Sequence, residues 1–254
     1  MTETELKLTL VIKNIYSYYD LKVYIKYTII IIVKVINKKN KSLLIIIPAR
    51  LDSTRLSKKL IRKISGVPMI IRVAESALKT KLGDVLVATD SKQIQNLCKN
   101  EKVDSVITPT DIKSGTDRVH YAYKKIKRKY DLILNLQGDL PIFTKEVIEK
   151  TVGLFNDKKT EIGSAVCDLH TSEFEDKNIV KAKVLFENNN EGFAIDFCRI
   201  IKNHKFFYHH IGLYLYTHDS LNKFIKLKQS QNELKRNLEQ MRAMDNNMLS
   251  LIHI

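Results

Sequence analysis

The stretch LLIIIPAR, residues 43–50, decides the fold class, because five apolar residues in a row are stopped by a proline and followed by an arginine. An apolar run of this kind is typical of a strand covered on both faces, as in a parallel sheet. The runs DVLVAT (84–89) and DLILNL (131–136) have the same character. Segments with helical periodicity lie between the three runs. The alternation predicts an α/β fold with a mostly parallel sheet.

The second half of the chain predicts an antiparallel subregion. Residues 181–186 and 193–197 flank a run of asparagines and are typical of a hairpin. Residues 210–216 predict a further strand, and residues 231–248 predict one helix with Leu234, Leu238 and Met241 on one stripe. In the first half, the predicted helices cover residues 67–81, 117–130 and 144–155.

Composition limits the classes of protein that fit. The 254 residues suffice for one large domain or two small ones, and 43 basic against 28 acidic residues give a net charge of +15. Such a surface attracts anions: phosphates, nucleic acid or acidic lipid. Three cysteines without a CxxC pair argue against structural zinc and a disulfide framework, and favour a reduced cytoplasm.

The first 42 residues differ from the rest. Their most apolar run, residues 28–33, is six residues long between Lys26 and Lys34, whereas a membrane span needs about 20. We therefore predict no integral membrane span. Residues 1–42 are expected to be a loosely packed extension, with a weak membrane-surface anchor as the alternative, and residues 43–254 to be the α/β unit.

Ligands of open α/β sheets bind beyond the carboxyl ends of the strands, so the residues that follow each strand carry the functional information. Residues 48–59 hold four cations, which suit a polyphosphate; they are Arg50, Arg55, Lys58 and Lys59. A solvated basic loop, or a general nucleic-acid contact, remains the alternative.

Two further segments have the same position. SGTDR (114–118) places a glycine between two hydroxyls at the start of a helix, which suits an anion, although a plain helix N-cap has the same pattern. QGD (137–139) follows an apolar strand and places the Asp139 carboxylate where Mg²⁺ bridged to phosphate would sit. A simple turn is the alternative there.

These segments, taken in order, resemble the 3-deoxy-manno-octulosonate (Kdo) cytidylyltransferases, the CMP-Kdo synthetases. The resemblance is carried by IIPAR (46–50), STRL (53–56), VATD (87–90), SGTDR (114–118), QGD (137–139), FCR (197–199), HIGLY (210–214) and LEQMR (238–242). It implies a Rossmann-like nucleotide-diphospho-sugar transferase fold and a cytoplasmic, homodimeric enzyme. The implied reaction converts CTP and Kdo to CMP-Kdo and pyrophosphate for lipopolysaccharide biosynthesis.

The resemblance also implies roles for individual residues. Arg50, Arg55 and Lys59 would hold the triphosphate, and Asp139 would bind Mg²⁺, so these four would be catalytic. The implied nucleotide-binding residues are Ala49, Arg50, Arg55, Lys59, Ser114, Gly115, Arg118 and Gln137. The implied Kdo-binding residues are Gln137, Arg199, His210, Tyr214, Glu239 and Gln240. Without the family, His210 and Tyr214 would be interpreted as core residues and Glu239 as part of a solvated helix face.

The sequence departs from the family pattern at two places. The first loop reads RLSKKL (55–60) where relatives have RLPGKP, so its free chain has more conformations. The family's final strand and V-D-T-x-E-D-L segment, with a second metal carboxylate, do not follow. We therefore expect weaker Mg²⁺ binding and an unpaired sheet edge. The alternatives are a catalytically impaired or dead remnant, a sialic-acid-type cytidylyltransferase and a basic nucleic-acid-binding protein.

Overall fold

The computed structural model describes residues 41–51, 58–156, 159–187, 190–202 and 205–254. Residues 42–254 form one compact unit. The extension predicted over residues 1–42 lies outside the described residues, apart from its last two, so its role stays a prediction. In the described part of the chain, no helix is long and apolar enough to cross a membrane.

A nine-stranded sheet and a small two-stranded hairpin organise the described residues. The strands are β1 (Leu43–Ala49), β2 (Lys63–Ile64), β3 (Val67–Pro68), β4 (Asp84–Thr89), β5 (Ser105–Ile107), β6 (Leu132–Leu136), β7 (Ile162–Cys167), β8 (Lys181–Phe186), β9 (Glu191–Cys198), β10 (Phe207–Thr217) and β11 (Ser250–His253). The order in the large sheet is β5-β4-β1-β6-β10-β7-β11-β9-β8. The neighbours β5, β4, β1 and β6 are parallel, as the apolar runs predict.

Helices connect the strands. The α-helices are α1 (Met69–Thr80), α2 (Lys92–Asn100), α3 (Gly115–Lys124), α4 (Lys145–Gly153), α5 (His218–Lys226), α6 (Gln231–Arg236) and α7 (Gln240–Asp245). Polar side chains cap five of them, each accepting a hydrogen bond from a backbone N–H of the first turn: Ser91, Ser114, Thr144, Thr217 and Ser230. The predicted helix over 117–130 is wrong at its end, because α3 stops at Lys124.

The run of five apolar residues in β1 is explained by its two covered faces. Ile45 and Ile47 join a core that contains α1, whereas Leu44 and Ile46 join a core that contains α3 and α5. All four side chains are almost fully buried. A strand with helices on both faces needs apolar residues at consecutive positions, and its carboxyl end then opens at the rim of the sheet.

The antiparallel subregion closes on itself. β10 pairs with β6 and β7 and, through its first residues, with β8. Together with the β7–β11, β11–β9 and β9–β8 pairs, this makes a ring of five strands. Val166, Val184, Phe197 and Ile252 belong to the core of this ring. The hairpin predicted over 181–197 is therefore confirmed in its two strands, while residues 188 and 189 of its turn lie outside the described residues.

Among the described strands of the large sheet, β5 alone has a single neighbour, so the unpaired edge expected from a missing strand is not found in the antiparallel subregion. β11 lies between β7 and β9 and pairs with both, in parallel with β7 and antiparallel to β9. Its four residues are buried. The sequence gives no strand prediction for residues 250–253, and they nevertheless fill the place between β7 and β9.

The single helix predicted over 231–248 is also wrong. The chain forms α6 and α7 instead, and Asn237 between them has a left-handed backbone with φ 53°. Asparagine is one of the few residues other than glycine that adopts this conformation readily. The break leaves Leu234 exposed while Leu238 and Met241 are buried, so the three residues do not share a stripe.

Candidate functional site

The loops that follow β1 and β6 leave the sheet at one rim. The two strands are parallel neighbours with Ile46 beside Asn135, so their carboxyl ends lie side by side. Across this rim, Nζ of Lys59 lies 2.7 Å from Oδ2 of Asp139. The structure therefore brings together a cation of the first loop and the carboxylate of the third. Arg55 lies outside the described residues.

Gly138 permits the close approach of these two loops. A Cβ atom built on Gly138 would lie 3.0 Å from the carbonyl oxygen of Pro48, at the end of β1. Such a contact is shorter than nearly all real Cβ contacts, and the atom that it meets is backbone. Only glycine lets the segment that carries Asp139 lie against the end of β1 without a backbone shift.

Arg50 follows the fully buried Ala49 and reaches across the rim toward the segment before α3. Its guanidinium donates a hydrogen bond to the carbonyl oxygen of Ile112. Because the Ala49 side chain is in the core, only its backbone is available to a nucleotide. Arg50 remains partly exposed, so part of its donor fork faces the cleft.

Arg118 has a different position from the one that its predicted role requires. Its guanidinium is fully buried and donates to Oδ2 of Asp90 at 2.9 Å and to Oγ1 of Thr108. The other oxygen of Asp90 accepts a hydrogen bond from the backbone N–H of Leu51 at 3.2 Å. Arg118 therefore lies beneath the first loop and, through Asp90, fixes the residue after Arg50. Burial lowers the pKa of Arg118, and Asp90 acts in the opposite direction.

Asp90 was not among the predicted site residues, although the sequence contained a signal for it. It directly follows β4, the strand beside β1, and thus meets the same positional rule that selected Asp139. Asp90 consequently holds Leu51 and Asp139 holds Lys59, the residues on either side of positions 52–58.

The N-terminus of α3 opens into the same rim. Ser114 caps the helix: its Oγ accepts from the N–H of Asp117 at 3.0 Å and donates to the Asp117 carboxylate at 2.7 Å. The N–H of Thr116 donates to Oε1 of Glu239 at 3.3 Å. A carboxylate from another part of the chain thus occupies the anion position at this helix terminus.

Gly115 lies at the centre of the site. A Cβ atom built on it would lie 3.8 Å from Oε2 of Glu239, 3.8 Å from Pro48 and 3.9 Å from Nε2 of Gln137. The ends of β1 and β6, the start of α3 and the start of α7 therefore meet around one glycine. Gln137 continues inward, because its Nε2 donates to the buried Asn135 at 3.2 Å.

Glu239 is held in this position by the α6–α7 pair. Arg242 on α7 donates to both oxygens of Glu233 on α6, at 2.6 and 2.9 Å, and both side chains are buried. Burial raises the pKa of Glu239, while hydrogen bonds from Ser114 and Thr116 and the charge of Arg242 act in the opposite direction. Glu239 is therefore not part of a solvated helix face.

Arg199 and Tyr214 approach Glu239 from the antiparallel subregion. The Arg199 guanidinium donates to the carbonyl oxygens of Lys177 at 2.9 Å and Asn237 at 3.3 Å. Burial raises the pKa of Tyr214, the charge of Glu239 raises it further, and the charge of Arg199 lowers it. Its hydrogen bond to Asn237 places the Arg199 guanidinium at the backbone two residues before Glu239.

His210 and Gln240 complete this side. His210 is buried, with Nε2 2.9 Å from Oγ of Ser164 and its ring centroid 5.3 Å from that of Tyr214. Burial lowers its pKa to about 3, so the imidazole is neutral. Nε2 of Gln240 is buried and makes no hydrogen bond with any described residue, which is uncommon for a buried amide. A ligand oxygen there would satisfy it.

A metal ion would find few protein ligands at this rim. Among the described residues, no group of three or more His, Cys, Asp or Glu side chains is arranged to hold a metal. Asp139 offers one partly exposed carboxylate. This donor set excludes a closed structural site in the described part of the chain, but it fits Mg²⁺, which keeps several waters and uses one or two carboxylates with substrate phosphates.

Comparisons with known proteins agree on one family. The cytidylyltransferase family profile matches residues 44–250. A 3-deoxy-manno-octulosonate cytidylyltransferase of Bartonella tribocorum is 40% identical over 213 residues, which cover 81% of this chain and 86% of the relative. A protein of the same name from Francisella tularensis subsp. holarctica is 36% identical and covers 80% of this chain and 85% of the relative.

Solved structures of related proteins share this fold. CMP:2-keto-3-deoxy-manno-octonic acid synthetase complexed with CTP is 29% identical and superposes with a TM-score of 0.74, covering 83% of this chain and 88% of that one. UDP-glucose pyrophosphorylase, at 13% identity and a TM-score of 0.58, shares the fold over 84% of this chain and 90% of that one. The fold is therefore the nucleotide-diphospho-sugar transferase fold. This chain belongs to the cytidylyltransferase family, together with the relatives named 3-deoxy-manno-octulosonate cytidylyltransferase.

Proposed function

We propose that this chain transfers the cytidylyl group of CTP to Kdo, giving CMP-Kdo and pyrophosphate, and so supplies lipopolysaccharide biosynthesis. One observation carries the proposal beyond family membership: Lys59 and Asp139 lie 2.7 Å apart at the rim where Arg50 also emerges. A triphosphate needs cations for its oxygens and a carboxylate for its metal, and this rim offers both.

In the reaction, a hydroxyl oxygen of the sugar acid attacks the α-phosphorus of CTP, and the bond from this phosphorus to the pyrophosphate oxygen breaks. Negative charge grows on the leaving pyrophosphate. Arg50, Arg55 and Lys59 would bind these oxygens and stabilise the developing charge. Asp90 and Arg118 would act beneath them by holding the first loop in place, rather than by contacting the nucleotide.

The family suggests a divalent metal ion, and we assign it as Mg²⁺ held by Asp139. The partly exposed carboxylate suits a metal that also takes substrate oxygens and water. When bound, Mg²⁺ orients the phosphates and offsets their charge. Lys59, which is paired with Asp139, stays at the same place and donates to phosphate.

The cytidine half of CTP is assigned to the centre of the site. Gly115 carries no side chain, and even a Cβ there would meet Glu239, Pro48 and Gln137 only at ordinary contact distances, so a nucleoside would approach the start of α3 beside Gln137. Because Glu239 already accepts from Thr116, it would define the floor of this space.

The sugar acid is assigned to the side formed by the antiparallel subregion. Arg199 would pair with the Kdo carboxylate, because a guanidinium matches a carboxylate with two parallel hydrogen bonds. Gln240 has a buried amide nitrogen without a hydrogen-bond partner among the described residues, which a sugar hydroxyl would satisfy. Tyr214, Glu239, Gln137 and the neutral His210 would line the remaining surface.

The test is a pyrophosphate-release assay with purified protein, CTP, Kdo and Mg²⁺. We expect release with CTP and Kdo, and little with ATP in place of CTP or with a sialic acid in place of Kdo. Absence of pyrophosphate at high concentration of folded protein would overturn the proposal and favour a dead remnant. Preference for the sialic acid would reassign the substrate.

We also propose an assembly and a location for the protein. We propose a homodimer, which is supported by the exposed apolar side chains of Leu185 and Ile195 on β8 and β9. Sedimentation velocity measures the mass directly, and a monomer at working concentrations would contradict the dimer. We propose the cytoplasm as the location, since Cys98, Cys167 and Cys198 are all free thiols.

A further inference from the structure

The ammonium group of Lys181 is buried in the antiparallel subregion, where a charge is unexpected. Lys181 is the first residue of β8 and its side chain has no solvent exposure. No carboxylate of the described residues lies within ion-pair distance of it. Burial of a charged amine without compensation costs several kcal/mol, so such a residue needs a partner set that repays desolvation.

Three backbone carbonyls form that partner set. Nζ of Lys181 donates to the carbonyl oxygens of Asp176 at 2.7 Å, Ile179 at 3.1 Å and Arg199 at 2.6 Å. An ammonium has three N–H donors, and all three are therefore used. Burial lowers the pKa of Lys181, and the nearby charge of Asp176 acts in the opposite direction. The group is saturated and has no donor left for a substrate.

The three carbonyls belong to two segments, and each segment helps to determine where the Arg199 side chain lies. One is the turn 176–179 before β8, and the other is the backbone of Arg199 itself after β9. The turn also contains Lys177, whose carbonyl oxygen accepts from the Arg199 guanidinium at 2.9 Å. The same ammonium thus fixes the backbone from which the Arg199 side chain starts and the turn on which that side chain rests.

We propose that Lys181 is the positioning residue for the carboxylate-binding arginine of the sugar-acid subsite: it fixes the backbone of Arg199 and the turn on which the Arg199 guanidinium rests, without touching the substrate. The proposal rests on the proposed function for the identity of the ligand. An apolar side chain of similar length would fill the space but remove one donor from each of the three carbonyls, and the turn would then move to reach water. The Arg199 guanidinium would move with it.

Lys181→Met tests the proposal, with Lys183→Met as the matched control. Lys183 is two residues further along β8, partly exposed, with Nζ 5.8 Å from the Phe207 ring centroid. For K181M we expect KM for Kdo to rise about ten- to a hundredfold, the usual effect of misplacing a substrate-positioning group by about 1 Å. KM for CTP should stay within about twofold, since the nucleotide binds at the other side of the site. K183M should match the wild-type protein in both.

A second readout separates positioning from general damage to the fold. The wild-type protein is expected to prefer Kdo to its C1 amide, because only the acid pairs with Arg199. K181M should lose most of this preference and K183M should keep it. A folded K181M that retains the wild-type acid-to-amide ratio, or that loses CTP and Kdo affinity equally, overturns the proposal. If K181M does not fold, the ratio in K181Q decides in the same way; if K181Q does not fold either, Lys181 serves the fold and the proposal fails.

The position of Arg199 can also be determined without substrate. We expect a crystal structure of K181M to show the Arg199 guanidinium displaced from the carbonyls of Lys177 and Asn237, and one of K183M to show it in place. An unchanged Arg199 in K181M overturns the positioning role even when the enzyme is active. A wild-type protein that releases no pyrophosphate from CTP and Kdo overturns the proposed function instead, so the two failures are distinguishable.

Discussion

Nζ of Lys59 lies 2.7 Å from Oδ2 of Asp139, although 80 positions separate the two residues in the chain. The contact joins the loop after β1 to the loop after β6. Both side chains are partly exposed, at 35% and 47%, and exposed pairs of this kind contribute at most about 1 kcal/mol to stability. Stability therefore gives little reason for the pair, whereas binding of a metal–phosphate group needs a carboxylate and a cation side by side.

Asp139→Asn is expected to leave the fold intact and to reduce turnover by about 10²-fold or more, because the metal loses its carboxylate. The Mg²⁺ concentration for half-maximal rate should rise. Both quantities come from pyrophosphate release over a Mg²⁺ titration. Asp84→Asn is the control, since Asp84 begins β4 at the opposite edge of the sheet. An unchanged Mg²⁺ dependence in D139N would remove Asp139 from the metal site.

Arg50→Ala is expected to reduce kcat/KM by about 10²–10³, the usual cost of losing one donor that stabilises transition-state charge. Its guanidinium points across the rim to Ile112 and not into the core, so the thermal midpoint should change little. Arg128→Ala is the matched control, because Arg128 pairs with Asp84 at the far edge. If R50A and R128A turn over equally well, Arg50 has no part in the mechanism.

Arg118→Met is expected to lower the free energy of unfolding by about 3 kcal/mol or more, because removal of one partner from a buried ion pair strands the other. Arg118 is fully buried and Asp90 is 13% exposed. Urea unfolding measures this change. The control is R128A, whose ion pair is mostly exposed, and its free energy of unfolding should fall by less than about 1 kcal/mol. A loss for R118M as small as that for R128A would contradict the supporting role of Arg118.

Much of the fold could be predicted because its signals are local. The apolar runs of β1, β4 and β6 depend on neighbouring residues only. β11 could not be predicted, because four residues become a strand through the two partners that receive them. The break at Asn237 depends on the same kind of tertiary context, since the buried Glu233–Arg242 pair needs α6 and α7 to face each other.

The residues of the site likewise divide into those that the sequence predicts and those whose positions depend on tertiary contacts. The position of Asp139 followed from its place after a strand, because the ends of parallel neighbours must meet. The orientation of Arg118 did not, since a sequence motif does not say whether an arginine faces the cleft or Asp90 beneath it. Lys181 carried no signal at all, because its partners are backbone carbonyls, which every residue has.

His210 makes stability depend on pH. Its pKa is lowered to about 3, against 6.5 for an ordinary histidine, so between these values the unfolded chain binds a proton that the folded chain does not. Stability therefore falls as the pH is lowered from about 6.5, with a limiting slope of about 1.4 kcal/mol per pH unit. The stability difference between the wild-type protein and His210→Gln, measured by urea unfolding, should shrink from pH 7.5 to pH 5. Parallel curves would contradict a buried neutral imidazole.

Gly115→Ala tests whether the nucleotide binds at the start of α3. The added Cβ would meet Glu239, Pro48 and Gln137 at 3.8–3.9 Å, which are ordinary contacts, so the fold should accept it. A methyl group there would still displace a bound nucleoside, and we expect KM for CTP to rise about ten- to a hundredfold.

Gly138→Ala separates this effect from damage to the loop. Its Cβ would lie 3.0 Å from the backbone oxygen of Pro48, so we expect a lower thermal midpoint together with lower turnover. G115A should keep the wild-type thermal midpoint, because its added Cβ makes only contacts of ordinary length. Its lower affinity for CTP would then come from steric exclusion of the nucleotide alone. Calorimetric titration with CTP gives the affinity of each variant. Wild-type CTP affinity in G115A would place the nucleoside away from α3, and the assignment of Ser114 and Gln137 would fall with it.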